Sequence, residues 1–330
     1  ITAVSDGGGA VTSGSTTNDG GLTLTFTSTK ATTTFTELAD ISISGGELNA
    51  FNATSSTVYT AIFSPSSATD EGTYTITVDA GKIVDAYGNA TLSDSVFTWT
   101  RDITPPTIAI TASLSDGTSV ANETVSKDSP LVLTLISSSS ATGFVVGDIV
   151  ITNDGTDIGD TSGVLSSFDS SNNPTYSVTF TPTSDGVYTF KVLANSFTDS
   201  AGNNNSVSNT ITWTYDTTRP TASLTYSPVG PYKQGTNVTV SITCNETMSA
   251  LNADIPTITL TDGASSDFVT DAVMTETSTA NIFTYIFTCP AGDGTGTVTL
   301  GAGKDIVGND IVVTPTTGST FVIDGGWTTI

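Results

Sequence analysis

One short stretch occurs three times in this 330-residue chain: Asp-x-x-Gly-Asn, at Asp85–Asn89, Asp199–Asn203 and Asp305–Asn309. The first two copies lie 114 residues apart, and 17 residues after each opening Asp comes a second Asp that closes a Trp-bearing segment. Those segments are Thr98-Trp99-Thr100-Arg101-Asp102 and Thr212-Trp213-Thr214-Tyr215-Asp216, and they exit through Thr104-Pro105-Pro106-Thr107 and Thr218-Arg219-Pro220-Thr221. Both ends of the pattern repeat in register, and self-similarity at a fixed period decides architecture before any local reading does. A turn, a strand carrying Trp and a Pro-bearing exit read as the last strand of a domain followed by its linker. The chain is therefore expected to be a tandem array: residues 1–102, 103–216 and 217–324, with 325–330 a linker or the start of a further segment. Ile1-Thr2-Ala3 matches Ile110-Thr111-Ala112, which follow the linker of the next unit, so the sequence reads as an excerpt from a longer protein.

Hydrophobic periodicity gives the class. Leu22, Leu24 and Phe26 alternate with Thr, as do Leu131, Leu133 and Leu135 with their neighbours, and Val238, Val240 and Ile242. Period-2 alternation marks half-buried strands. Each unit continues with an Asp-Ile strand start (Asp40-Ile41, Asp148-Ile149, Asp254-Ile255), then a strand ending in Phe and Pro. An acid-Gly turn (Glu71-Gly72, Asp185-Gly186, Asp293-Gly294) leads into a further strand. Ser and Thr make up about a third of the chain and charged residues only 12%, which leaves few helix formers. Six or seven short strands per unit, punctuated by turns, predict an all-β chain of Greek-key sandwiches.

The run Phe144-Val-Val-Gly-Asp148-Ile-Val-Ile151, the Phe-x-Pro strand, the Asp-x-x-Gly-Asn turn and the exit Trp213-Thr-Tyr-Asp216-Thr-Thr-Arg-Pro220 together resemble bacterial-type immunoglobulin-like repeats. Such repeats form long arrays in large adhesins and other surface proteins, with similar arrays in marine algae and their viruses. The resemblance covers nearly the whole chain. It implies tandem extracellular sandwiches acting as spacers, and junctions that calcium stiffens in some such adhesins. The third exit, Phe321-Val-Ile-Asp324-Gly-Gly-Trp327, keeps the Asp but lacks Thr-x-Pro-Thr.

The charge balance narrows the partners. Thirty-two acidic and 8 basic residues give a net charge of −24, which repels phosphate backbones and anionic lipid and argues against nucleic-acid binding. No apolar run is long enough to span a bilayer, so no membrane insertion is expected in this segment. With no His at all, Ser-His-Asp and Cys-His chemistry is excluded. No phosphate-cradling Gly motif is present, and the acids that stand out recur with the repeat. The chain is not expected to be an enzyme.

The recurring acids carry two readings. Asp85, Asn89 and Asp102, and equally Asp199, Asn203 and Asp216, offer the oxygen ligands that calcium prefers if turn and exit share one end of a sandwich. Alternatively the motif is a tight turn, with Asp bonding backbone amides and Gly supplying positive φ. Trp99 and Trp213 suit a core or junction, or else a sugar-binding platform. Cys244 and Cys289 either form a disulfide that staples the third unit or stay as thiols. Asn52, Asn89, Asn122, Asn204, Asn237 and Asn245 head Asn-x-Ser/Thr sequons, about as many as this Ser/Thr density yields by chance. They are glycosylation sites only in a eukaryotic or viral source.

Two functional readings follow. In the first, the chain is a structural spacer in a long cell-surface, virion-surface or otherwise extracellular protein, stalk or filament. Its partners are then neighbouring Ig-like domains of the same chain, with self-association into a filament as a variant. In the second it is a recognition module binding a glycan or a protein, with the third unit as the candidate because of its cysteines and altered exit.

Overall fold

In the computed structural model, residues 1–36, 38–159 and 164–326 are described. Among them no α-helix occurs; three single 3-10 turns precede the strands that start at or just after Ile41, Ile149 and Ile255. The described residues form twenty-seven strands in six sheets, two per unit. In the second unit one sheet runs Ser119–Val120, Ile108–Leu114, Leu131–Ser137, Thr175–Phe180, Leu165–Asn172. The facing sheet runs Thr124–Ser126, Ile211–Tyr215, Gly186–Val192, Ile149–Asn153, Thr156–Asp157. The first unit repeats this order without a counterpart of Thr156–Asp157, and with Ala10–Val11 and Ser15–Thr17 in the places of Ser119–Val120 and Thr124–Ser126. Among the described residues all strand-to-strand pairings are antiparallel except those of Ser15–Thr17 with Trp99–Arg101 and of Thr124–Ser126 with Trp213–Tyr215. In the third unit the crossing is reduced to a single parallel bridge, Tyr232 beside Ile323, and both its sheets have four strands.

Three separate cores follow from the alternation. Leu22, Leu24 and Phe26 are buried in the first, Leu131, Leu133 and Leu135 in the second, and Val238, Val240 and Ile242 in the third. Trp99 and Trp213 are 0% exposed at the centre of their cores. Their indole N–H groups donate inward, to Thr17 Oγ1 at 2.9 Å and to Ser126 Oγ at 3.1 Å. A buried indole needs such a partner, and here the crossing strand supplies it. This overturns the sugar-platform reading, since no indole face reaches solvent. In the third unit Phe321 takes the Trp position and needs no polar partner.

Arg101 shows how a charge is accommodated beside this core. It is 6% exposed, and its guanidinium donates to the carbonyls of Asp19 (2.9 Å), Asp70 (2.6 Å) and Ala68 (2.9 Å). The three acceptors come from two loops, so the side chain ties the turns at the exit end of the first unit together. Tyr215 and Ile323 occupy the same place in the other units.

The two cysteines lie at opposite ends of one strand pair. Asn237–Cys244 runs antiparallel to Ile282–Thr288, with Asn237 opposite Thr288 and Thr243 opposite Ile282. Cys244 therefore sits beyond one end and Cys289 beyond the other, separated by roughly 25 Å of strand. A disulfide needs Cα atoms within about 7 Å. The expected staple is not formed: both are buried free thiols.

Candidate functional site

The Asp-x-x-Gly-Asn motif folds as a closed turn in all three units. Asp85 Oδ1 accepts the amides of Tyr87 and Asn89, both at 2.9 Å, and the Asn89 side chain donates back to Oδ2 at 3.0 Å. Asp199 and Asp305 make the same bonds to residues 201 and 203 and to residues 307 and 309. Gly88, Gly202 and Gly308 sit at φ +84, +93 and +88, where a Cβ would be strained. The three opening Asp residues are buried. Bonds from the Asn89 side chain and amide, from the Tyr87 amide and from the Lys30 ammonium hold Asp85 down to about 2.

The turn and the exit Asp of one unit do not meet. Asp85 pairs with Thr32 beyond the Val78/Ser95 end of its sandwich. Asp102 follows Arg101, which pairs with Gly72 at the opposite end. A seven-residue strand, roughly 20 Å, lies between them. The expected ligand sets Asp85–Asn89–Asp102 and Asp199–Asn203–Asp216 are therefore each split between two ends.

Each exit meets the turn of the following unit instead. The Asn203 side-chain N–H donates to the Asp102 carbonyl at 2.9 Å, and that of Asn309 to the Asp216 carbonyl at 3.1 Å. A second pair of contacts flanks each: the Asn18 amide donates to the Ala201 carbonyl at 3.0 Å, and the Lys127 ammonium donates to the Gly308 carbonyl. Asn18 and Lys127 hold the same position, one residue after the crossing strand. Downstream, the Ser206 amide reaches the Pro106 carbonyl (3.0 Å), and the Val312 amide that of Pro220 (2.8 Å). At the second joint Arg219 also donates to the carbonyls of Asp310 and Ile311, each at 2.9 Å.

The exits are preorganised by acids that the sequence reading took only as turn residues. Glu71 Oε1 accepts the Ile103 amide and the Thr104 hydroxyl, each at 2.8 Å. Asp185 accepts the Thr217 amide at 3.0 Å and the hydroxyls of Thr217 (2.7 Å) and Thr218 (2.6 Å). Asp293 accepts the Gly325 amide at 2.7 Å. Bonds from the Ile103 amide and the Thr104 hydroxyl lower the Glu71 pKa. The Asp185 pKa is lowered too, since hydrogen bonds led by Thr218 and Thr217 outweigh the burial that raises it. The missed signal is a spacing: each of these acids stands 31 residues before its exit Asp, at Asp102, Asp216 and Asp324. The third exit thus keeps the geometry of the other two without the Thr-x-Pro sequence.

One position varies at this end in a way that changes the chemistry. After the strand ending in Ser137 or Cys244, and at the matching place in the first unit, stand Lys30, Ser139 and Glu246. Lys30 lies 3.5 Å from Asp85 Oδ2. Glu246 instead joins Asp216 and Asp305, with a carboxylate oxygen from each within 4.8 Å of the others. Its Oε1 is buried without a hydrogen-bond partner. Burial, then the charges of Asp216 and Asp305, push the Glu246 pKa up. All six sequon Asn residues are exposed, although Asn89 spends its amide N–H on Asp85.

Sheet order, buried Trp and jointed turns define a tandem array of immunoglobulin-like sandwiches. Residues 8–100, in the first unit, match the bacterial Ig-like domain family, and the second unit has the same strand order with one added edge strand. Among solved structures the chain is similar to InvD of Yersinia pseudotuberculosis, at 18% identity over 93% of this chain and 94% of that one, TM-score 0.38. It is also similar to the S-layer protein SbsC, at 13% identity over 95% of this chain and 54% of that one, TM-score 0.20. The chain thus spans about half the length of the SbsC chain. No curated protein matches it in sequence. No helix among the described residues is long and apolar enough to cross a membrane.

Proposed function

We propose that the chain is a structural spacer in an extracellular surface protein, in which each unit clamps the exit of the unit before it. The observation that carries this reading is the repeated joint, Asn203 on the Asp102 carbonyl and Asn309 on the Asp216 carbonyl. A side chain whose own turn is fixed by Asp holds the end of the preceding strand, so bending at the linker breaks hydrogen bonds. Pro106 and Pro220, which fix φ just beyond each exit, add to this. The partners are accordingly neighbouring units of the same kind, and the location is a cell or virion surface.

Calcium belongs to this proposal at the second joint. Asp216, Glu246 and Asp305 converge there with one carboxylate oxygen buried and unpartnered, an arrangement that a hard divalent cation with oxygen ligands satisfies. The first joint does not fit, because Ser139 stands where Glu246 would complete the set. Bound calcium would cancel the repulsion among the three carboxylates and link two units.

Calcium is expected to raise the melting temperature of the second joint and its flanking units, and Glu246→Gln to abolish that response. The pH dependence has a definite sign. A carboxyl whose folded pKa is raised favours the fold while protonated, so without calcium stability falls as pH rises through the shifted Glu246 titration. With calcium that fall disappears. Calorimetry with calcium and with chelator checks both; identical curves in the two conditions would remove calcium from the account.

A further inference from the structure

The third unit lacks a piece that the other two share. Eleven residues separate Tyr226 from Val238, where eighteen separate Ala3 from Leu22 and Ala112 from Leu131. In the first two units the longer segment crosses from the edge of one sheet to the edge of the other. Val11 pairs with Ala3, and Ser15–Thr17 then runs beside Trp99–Arg101. Val120 pairs with Ala112, and Thr124–Ser126 then runs beside Trp213–Tyr215. Val11 is 6% exposed, and Val120 packs on its core.

With the shorter segment, two sheet edges of the third unit are paired only in part, through single parallel bridges of Ser223 with Thr317 and of Tyr232 with Ile323. The Leu224 amide donates outward to the Thr317 carbonyl, and the Ala222 carbonyl accepts the Thr316 amide. Two residues on, Tyr226 turns its backbone N–H and C=O to the same side, where no strand lies. On the other sheet Tyr232 covers the edge at Ile323, its amide donating to the Val322 carbonyl and its carbonyl accepting the Asp324 amide, but no strand runs beside Thr320. Its counterpart Thr212 gives its N–H to Asn122 Oδ1 and accepts the Glu123 amide. Between the two edges lies a cavity of about 540 Å³, lined by Tyr226, Val229, Tyr232, Phe321 and Val322 among others, with no charged side chain. Val229, 90% exposed, stands at its rim.

We propose that this cavity binds an extended, uncharged peptide strand of another protein, with a β-branched aliphatic side chain inside and its main chain along Tyr226 and Thr320. The occupant's chemistry comes from the molecule itself: twice in this chain, the edge matching Tyr226 is covered by a Val on an extended segment, Val11 beside Ala3 and Val120 beside Ala112. Main-chain pairing gives such a site its affinity and the apolar cavity its selectivity. The uncharged lining and the −24 net charge of the chain disfavour an acidic strand. The site does not depend on the spacer reading, since it is complete within one unit.

The test uses the whole chain, isotope-labelled for NMR, and a synthetic peptide with the sequence Ala10–Thr17, blocked at both ends. Saturable shifts are expected at Tyr226, Thr320, Phe321 and Val322, and not at the covered edges of the first two units. The same peptide carrying Val11→Asp should bind at least about tenfold more weakly. In the protein, Val229→Asp at the exposed rim should weaken binding by a similar factor without unfolding the unit. Replacing residues 227–237 by residues 113–130 should close the site and abolish binding. Absence of saturable shifts at millimolar peptide, or equal binding of the Val11→Asp peptide, would overturn the proposal.

Discussion

Trp213→Ala is expected to destabilise the second unit by about 3–5 kcal/mol, as large-to-small changes at a closed aromatic core site do. The indole is 0% exposed. Its ring packs against Phe180, Tyr188 and Tyr215 at centroid separations of 6.2, 6.0 and 5.3 Å. Its removal leaves a cavity and strands the Ser126 hydroxyl that holds the crossing strand in place. For a unit of about 100 residues that loss corresponds to a fall in melting temperature of roughly 15–30 °C. The core of the first unit, centred on Trp99, is separate and should keep its transition. Calorimetry resolves this: one transition should move far and the first unit's should stay. A shift of only a few degrees would mean that the indole is not the centre of the core.

The second large effect is at the first joint. Asp199 is 5% exposed and accepts the amides of Ala201 and Asn203 and the Asn203 side chain. Asp199→Ala leaves these donors unsatisfied where water is scarce, at a cost of about 3 kcal/mol. It also frees Asn203 from the orientation in which it holds the Asp102 carbonyl. Both a lower melting temperature of the second unit and faster amide exchange around residues 102–107 are expected. Asp199→Asn, which keeps one acceptor oxygen, should recover part of each. Loss of stability without any change in exchange at the linker would show that the turn serves only its own unit.

Much of this molecule was legible before its fold was seen, for identifiable reasons. Strands such as Leu22–Thr27 and Leu131–Ser137 bury alternate side chains, so their period is written in the residues. The paired strands Glu47–Ala53 and Leu165–Asn172 are different. They are mostly exposed, touch their cores only through Leu48, Phe51, Leu165 and Phe168, and are interrupted by register shifts, so no regular alternation marks them as strands. The crossing segments were hidden similarly, being two or three residues long. At the joints the right residue types were recognised but grouped within the wrong unit. Sequence nearness suggested Asp85 with Asp102, whereas a seven-residue strand carries the exit to the far end. Glu246 was invisible because it differs from Lys30 and Ser139 at the same place. A repeat search highlights what recurs, and this joint is individualised by what does not.

Small-angle scattering of the whole chain in calcium tests the central claim most directly. Three sandwiches of about 40 Å each, clamped end to end, predict a radius of gyration of roughly 35–40 Å, against about 20 Å for a compact globule of this length. Asn203→Ala and Asn309→Ala together should broaden the distribution of end-to-end distances while each unit stays folded. A radius of gyration near 20 Å, or a distribution that the double substitution leaves unchanged, would contradict the account.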